Sequence, residues 1–179
     1  MESGASHGQP GAGLKPGGSD PLPDDPAWLQ ACGLEVCERI LCSHRQVWGQ
    51  PLLALPADAS ARLQAQELFA AEVVVLAHDA GPDPRLIYAN RAALRLWRRS
   101  WAAMVGMPSR LTAAAAERPA RSGALAEARE RGGIDGYRGI RVDSSGRRFQ
   151  IEAARLWTLH DDQGTPCGQA AGFARWWWL

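Results

Sequence analysis

Residues 84–112, PRLIYANRAALRLWRRSWAAMVGMPSRLT, decide the fold. RLIYAN at 85–90 is apolar and of strand length, so it predicts a short strand. Asn90 stands where a helix N-cap is needed, with a side-chain oxygen suited to the free amides of the first turn. RAALRLWRR at 91–99 then takes up helical spacing. Ala93, Leu94, Trp97 and Trp101 form the predicted buried stripe, and Arg91, Arg95, Arg98 and Arg99 form an opposite, solvated face. Gly106 and Pro108 end the helical run at a Pro108-Ser109-Arg110-Leu111 corner.

Upstream, EVVVLAH at 72–78 is a β-branched run of strand length. Between it and RLIYAN lies the turn cluster Asp79, Gly81, Pro82, Asp83 and Pro84, so the two strands are expected to pair as an antiparallel hairpin. Before them, Asp58 is positioned to cap a helix over ASARLQAQELFAA, with Leu63, Phe69 and Ala70 inward. Asp25 and Pro26 make a helix start, and that first helix is expected to run to about Trp48. Its apolar stripe contains Leu29, Cys32, Val36, Cys37, Ile40, Leu41, His44, Val47 and Trp48, and its cysteines read as core filling. Residues 1–24 are dominated by Gly, Pro, Ser and Asp, too polar to offset their ordering entropy, and are expected to be disordered.

Downstream, Thr112 is expected to cap an Ala-rich turn that Pro119 interrupts. ARSGALAEARERG then gives an outer, partly exposed helix ended by Gly132 and Gly133. From Ile134 the period becomes alternating. Ile140 and Val142 share a face before the turn Asp143-Ser144-Ser145-Gly146, and Phe149, Ile151, Ala153, Trp157 and Leu159 share a face of a long strand. A second turn at 160–164 leads into PCGQAAGFARW, whose small residues allow close approach. The domain division is thus a tail at 1–24, an N-terminal helical extension at 25–71 and a core at 72–178.

The chain has 179 residues, 46% of them apolar, enough for one domain with one sizeable core. Its formal net charge of +1 gives too weak an overall field to favour nucleic acid. Cys32, Cys37 and Cys42 recur every five residues, which does not match the short loops of a zinc site. No window approaches the ~18 uninterrupted apolar residues of a spanning helix, and no signal peptide opens the chain. Membrane association is therefore not expected, and the cytoplasm is the expected compartment.

Two strands, a helical middle and a three-strand meander resemble the order of PAS domains. PRLIYANRAALRLW, MPSRLT, RRFQIEAARLW and GQAAGF together resemble the MEKHLA domain, a PAS-like module found alone in bacteria and at the C-terminus of a class of plant homeodomain leucine-zipper regulators. This chain has neither homeodomain nor zipper. The resemblance implies an α+β fold with one five-stranded antiparallel sheet, helices on one face around a small pocket, and N-terminal helices before it.

By that resemblance the pocket residues would be Trp97, Trp101, Ser109, Arg110, Trp157 and Gln169, with Tyr88 and Asn90 at its mouth. GMPSRL is similar to the segment that carries the adduct-forming cysteine in flavin-binding LOV domains, but Ser109 stands here. A hydroxyl without a neighbouring base is too weak a nucleophile for that chemistry. Gln169 resembles the glutamine that contacts flavin in those sensors. Haem would need an axial ligand, and His78 and His160 fall at a strand end and in a turn, where exposure is expected. Neither cofactor is favoured. Arg110 carries a fork suited to a carboxylate, with Glu152 or a backbone carbonyl as the expected partner.

No catalytic or metal motif is present, and Asp161 and Asp162 lie in a turn. The expected function is a non-catalytic sensory or regulatory module that binds a small molecule, a protein partner or a second copy of itself. The alternative is a ligand-free dimerisation domain whose pocket is plugged by Trp97, Trp101 and Trp157. An uncharacterised enzyme has the least support, and no ionisable cluster is expected under the helices. Trp176, Trp177 and Trp178 cannot all face one core, which makes them the candidate partner interface.

Overall fold

The computed structural model describes residues 25–179; the tail expected to be disordered, 1–24, lies outside the described residues. The elements are α1 (Ala31–Trp48), α2 (Ala61–Ala70), β1 (Val74–Asp79), β2 (Leu86–Ala89), α3 (Arg91–Trp97), α4 (Trp101–Met104), α5 (Arg118–Arg131), β3 (Gly133–Val142), β4 (Arg148–His160), β5 (Pro166–Phe173) and β6 (Arg175–Trp178). The strands form one antiparallel sheet in the order β2-β1-β5-β4-β3, so the fold is α+β as expected. A sixth strand extends the anticipated meander. β5 pairs with Arg155–His160 of β4, a bend at Ala174 interrupts the strand, and β6 pairs with Phe149–Glu152.

Both faces of the sheet are buried. One face carries Val74, Leu76, Leu86, Phe149, Ile151, Ala154 and Phe173, packed with Ala93, Leu96 and Trp97 of α3 and with Met104 of α4. The other carries Val75, Ala77, Tyr88, Trp157, Leu159 and Ala170, covered by Leu29, by Cys37 and Ile40 of α1, and by Ala65 and Leu68 of α2. Along β1 and β5 the two sets alternate as the pleat demands. The N-terminal helices are thus the lid of a second core.

β4 departs from simple alternation. Ala153 adopts φ 51°, a left-handed conformation that non-glycine residues rarely take, and it is exposed. Across from it, β3 pairing slips on either side of Tyr137. One extra residue reverses the facing of everything after it. Phe149 and Ile151 therefore face α3, whereas Trp157 and Leu159 face α1. The single-face stripe expected from sequence is corrected accordingly.

The N-terminal region also differs in detail. Asp25 does not cap a long helix; it forms a bidentate pair with Arg62 at 2.6 and 2.7 Å, and a 3-10 turn at Ala27–Leu29 precedes α1. Ser60, not Asp58, caps α2 by accepting from Leu63 N. Leu63 is exposed, while Ala65 and Leu68 face inward and Phe69 stacks on Trp28 with ring centroids 4.1 Å apart. Of the helical cysteines only Cys37 is buried, because a step of five residues turns about 140° around a helix and cannot keep three side chains on one face. Burial pushes the Cys37 thiol up to about 12. Pro119 does not interrupt the Ala-rich turn, which ends as a 3-10 turn at Ala115–Glu117 before it; it stands in the first turn of α5, where no amide donor is needed.

Asn90 joins four elements at one point. Its Oδ1 accepts from Val75 N at 3.0 Å and from Ala93 N at 3.1 Å, so it completes the β1 edge and caps α3. Its Nδ2 donates to Val73 O at 2.7 Å and Ala71 O at 3.2 Å, closing the turn that leaves α2. The residue is fully buried, so truncation strands several polar groups away from water. Asn90→Ala is expected to lower unfolding free energy by roughly 3 kcal/mol in urea titrations; a loss under about 1 kcal/mol would show that the junction is not held by this side chain. At Ala153, Ala153→Val should destabilise by about 1–2 kcal/mol despite valine's preference for strands, because a β-branched residue is strained at positive φ. An unchanged urea midpoint would rule out that backbone conformation in solution.

Candidate functional site

The space between α5 and the sheet is built from one rung across three strands. His78 of β1 lies opposite Gln169 of β5, which lies opposite Thr158 of β4. Two of these side chains tie α5 down: Gln169 Nε2 donates to Leu125 O at 2.9 Å, and Thr158 Oγ1 donates to Ala128 O at 3.4 Å. Gly168 allows β1 to come close here, since a Cβ there would lie 2.2 Å from His78 O. Held off by these polar contacts, α5 leaves a chamber over Leu76, Leu86, Ile151, Leu156 and Phe173, walled by Trp97 and Thr112.

The chamber offers about 40 Å³ to the centres of water-sized molecules. It adjoins an outer groove of about 530 Å³ on the same measure, between α5 and the β1–β2 turn. His78, Arg121, Leu125 and Gln169 line both. Three charged or titratable residues face the chamber. Arg121 comes from α5, and its Nη2 donates to Ser109 Oγ at 3.1 Å. Arg141 comes from β3 and is 6% exposed; it donates to Ile140 O at 2.9 Å and to the Tyr137 hydroxyl at 3.1 Å. Gly139 makes room for that pair, because a Cβ would lie 2.5 Å from the Tyr137 hydroxyl and 2.8 Å from Arg141 Nη1. His78 is 5% exposed, and its Nδ1 meets Asp79 O at 2.7 Å.

Two orphaned atoms remain there. His78 Nε2 and Gln169 Oε1 are buried and have no hydrogen-bond partner among the described residues. Burial, with help from Arg121 and Arg129, lowers the His78 pKa against the opposing contact to Asp79, so the ring is neutral at pH 7. Burial first, and the neighbouring Arg141 second, push the Arg121 guanidinium down to about 10. No carboxylate pairs with either arginine among the described residues.

The sequence-derived candidates separate into groups. Trp97 and Gln169 line the chamber, and Ser109 lines the outer groove and reaches the chamber through Arg121. Arg110 also lines the groove, but as a bidentate partner of Asp83 at 3.0 and 3.2 Å. Its expected partner Glu152 is instead paired with Arg138. Asn90 is consumed by the β1–α3 junction. Tyr88 and Trp157 lie on the opposite face of the sheet, and Trp101 packs there too, edge-on to Tyr88 with ring centroids 5.7 Å apart. An aromatic plug of Trp97, Trp101 and Trp157 is therefore corrected: the three do not meet in one pocket.

Arg121 and Arg141 escaped the sequence reading, and His78, weighed there only as an axial haem ligand, is buried where exposure was expected. Alternation centred on Ile140 and Val142 points Arg141 outward, whereas its register opposite Phe149 turns it inward. The one legible signal was Tyr137-x-Gly139-x-Arg141, a glycine between two long side chains on one strand face. The charged cluster beneath α5 contradicts the expectation of none. It consists of two cations and an imidazole that burial holds towards its neutral form.

A flavin or haem does not fit this chamber. Trp97, Arg121 and Leu125 bound a space far smaller than either ring system. Ser109, in place of an adduct cysteine, is engaged by Arg121. Among the described residues no three His, Cys, Asp or Glu side chains gather to hold a metal ion, and no helix is long and apolar enough to cross a membrane.

Solved structures with this architecture include the PAS domain of a protein from Colwellia psychrerythraea, 14% identical, with a TM-score of 0.55, covering 61% of this chain and 90% of that one. An RNA-binding Light-Oxygen-Voltage receptor is 21% identical with a TM-score of 0.57, over 69% of this chain and 35% of that one. A Light-Oxygen-Voltage domain studied with a flavin analogue is 17% identical with a TM-score of 0.51, over 69% of this chain and 88% of that one. At these identities the likeness is one of fold. No curated protein sequence matches the chain. Residues 34–178 match the MEKHLA domain, from within α1 to the last strand, and the chain therefore belongs to this PAS-like family.

Proposed function

We propose that the chain is a non-catalytic sensory module that takes a small molecule between α5 and the sheet and passes the signal to a protein partner. The observation that carries this is the chamber itself. It is mostly apolar, it opens to a groove, and two buried polar atoms on its sheet wall have no partner among the described residues. Such atoms cost free energy unless something supplies their hydrogen bonds. A bound molecule touching Gln169 would act directly on the bond that holds α5, which gives a route from occupancy to helix position. Non-catalysis is supported by the absence of a carboxylate or thiol among the chamber's lining residues. The net charge of +1 argues against nucleic acid as the partner, and four free thiols are compatible with the cytoplasm.

A second function, self-association, is favoured by one feature. Trp176, Trp177 and Leu179 are exposed on and just after β6, a strand that pairs only with β4 among the described residues. Trp176 and Trp178 flank Phe149 at 6.2 and 5.5 Å and Arg147 covers Trp178 at 4.0 Å, so these two rings also close the core, while Trp177 lies on the opposite face of β6. Trp177 is therefore the residue with most to gain from a partner.

Two measurements address these proposals. Native mass spectrometry of gently purified protein is expected to show a retained small molecule that Gln169→Leu releases; bare protein that also takes up nothing from a metabolite panel would favour a ligand-free interaction domain. Sedimentation of the wild type is expected to show a dimer that Trp177→Asp converts to a folded monomer, and a wild type that remains monomeric at high micromolar concentration would remove self-association through β6.

A further inference from the structure

The chamber and its groove are dominated by one sign of charge. Arg121 and Arg141 face the chamber, and Arg118 and Arg129 join Arg121 along the groove. The groove's Asp83 is already neutralised by Arg110. Nearby Asp79 spends its Oδ1 on the amides of Gly81 and Arg85. Arg121 and Arg141 have only neutral oxygen partners: a serine hydroxyl, a tyrosine hydroxyl and one backbone carbonyl. Guanidiniums removed from water are normally paired, because an uncompensated charge in low dielectric is costly. Here a buried guanidinium, Arg141, and a half-buried one, Arg121, face one space, and Gly139 keeps that space open for Arg141 and Tyr137.

We infer that this site holds a small organic anion, its charged group between the guanidiniums of Arg121 and Arg141 and its apolar body over Leu76, Leu86, Ile151 and Phe173. The inference rests on the proposed ligand-binding function and specifies its chemistry. A planar fork matches two oxygens of a carboxylate or of a phosphoryl group, and two forks on one anion supply both charge and orientation. The apolar floor disfavours an inorganic ion and selects an amphiphilic one. Arg118 and Arg129 at the groove add a field that draws anions towards the chamber. Gln169 Oε1, an acceptor, is suited to a hydroxyl or amine on the same molecule.

Isothermal titration of the full chain with benzoate, phenyl phosphate, inorganic phosphate and neutral benzamide tests this. Benzoate or phenyl phosphate should bind at least tenfold more tightly than benzamide, and the tighter of the two identifies the anionic group. Inorganic phosphate should be weaker than phenyl phosphate. Arg121→Gln and Arg141→Gln should each weaken the preferred anion at least tenfold, and Gly139→Ala, which keeps both arginines but displaces one, should weaken it severalfold. Thermal unfolding without ligand provides a control on folding. Arg121→Met should unfold at a higher temperature than wild type if its charge is held for a ligand, and at a lower one if the arginine is a structural tie. Benzamide binding as tightly as benzoate would overturn the anion inference while leaving a small-molecule pocket in place. No binding by either aromatic anion would also overturn it, and only retention of no molecule at all in the native mass spectrum would remove the pocket as well.

Discussion

A sheet buried on both sides must allot every side chain to one core or the other, and in this protein a single residue sets that allotment. Ala153, in a left-handed conformation halfway along β4, reverses the facing of the strand's second half. Before it, Phe149 and Ile151 join Trp97 under α3; after it, Trp157 and Leu159 join α1. Without that slip the indole of Trp157 would face the helical side and crowd the chamber. The same irregularity lies near the break at Ala174, where β5 gives way to β6 beside β4.

The second core explains why the N-terminal helices are part of the sheet's structure. α1 packs His44 edge-on against Trp157 with centroids 5.1 Å apart, and Ser43 Oγ accepts from the amide of His160. Burial lowers the His44 pKa, so this ring too is neutral in the folded state. Asp25 and Arg62 clamp the segment before α1 to α2, and Asn90 ties the end of α2 to both strands and to α3. The sheet is thereby covered on one face by tightly packed apolar helices. On the other, α3 and α4 pack apolar side chains over part of the sheet, and α5 covers the rest, held through side-chain bonds to its carbonyls, with only Ala128 of α5 buried. That difference places the cavity under α5.

Family membership and fold identify a PAS-like domain and leave its ligand open. The structural neighbours include an RNA-binding Light-Oxygen-Voltage receptor and a Light-Oxygen-Voltage domain studied with a flavin analogue, yet the chamber here is small and basic, with Ser109 bonded to an arginine. The PAS architecture supplies a sheet with a helical cover, and the side chains under that cover decide what can be held there.

Much of the architecture was legible from local chemistry. Asn90 was marked as a cap by its position before RAALRLW, the hairpin by its Pro and Gly cluster, and the meander by its alternation, because caps, turns and periods act within a few residues. The helix break near Gln30 was not marked, since it answers to packing against α2. Of the site, Trp97, Ser109 and Gln169 were identified from family motifs, whereas Tyr88, Trp101 and Trp157 fell on the other face. The meeting of His78, Arg121 and Arg141 was not legible: they are separated by long stretches of chain, and whether a strand residue points in or out depends on register. A sequence determines which residues can start, stop and alternate. Which face a side chain finally occupies, and which charges are left together beneath a helix, is decided only when strands far apart in the chain pair and a bulge sets their phase.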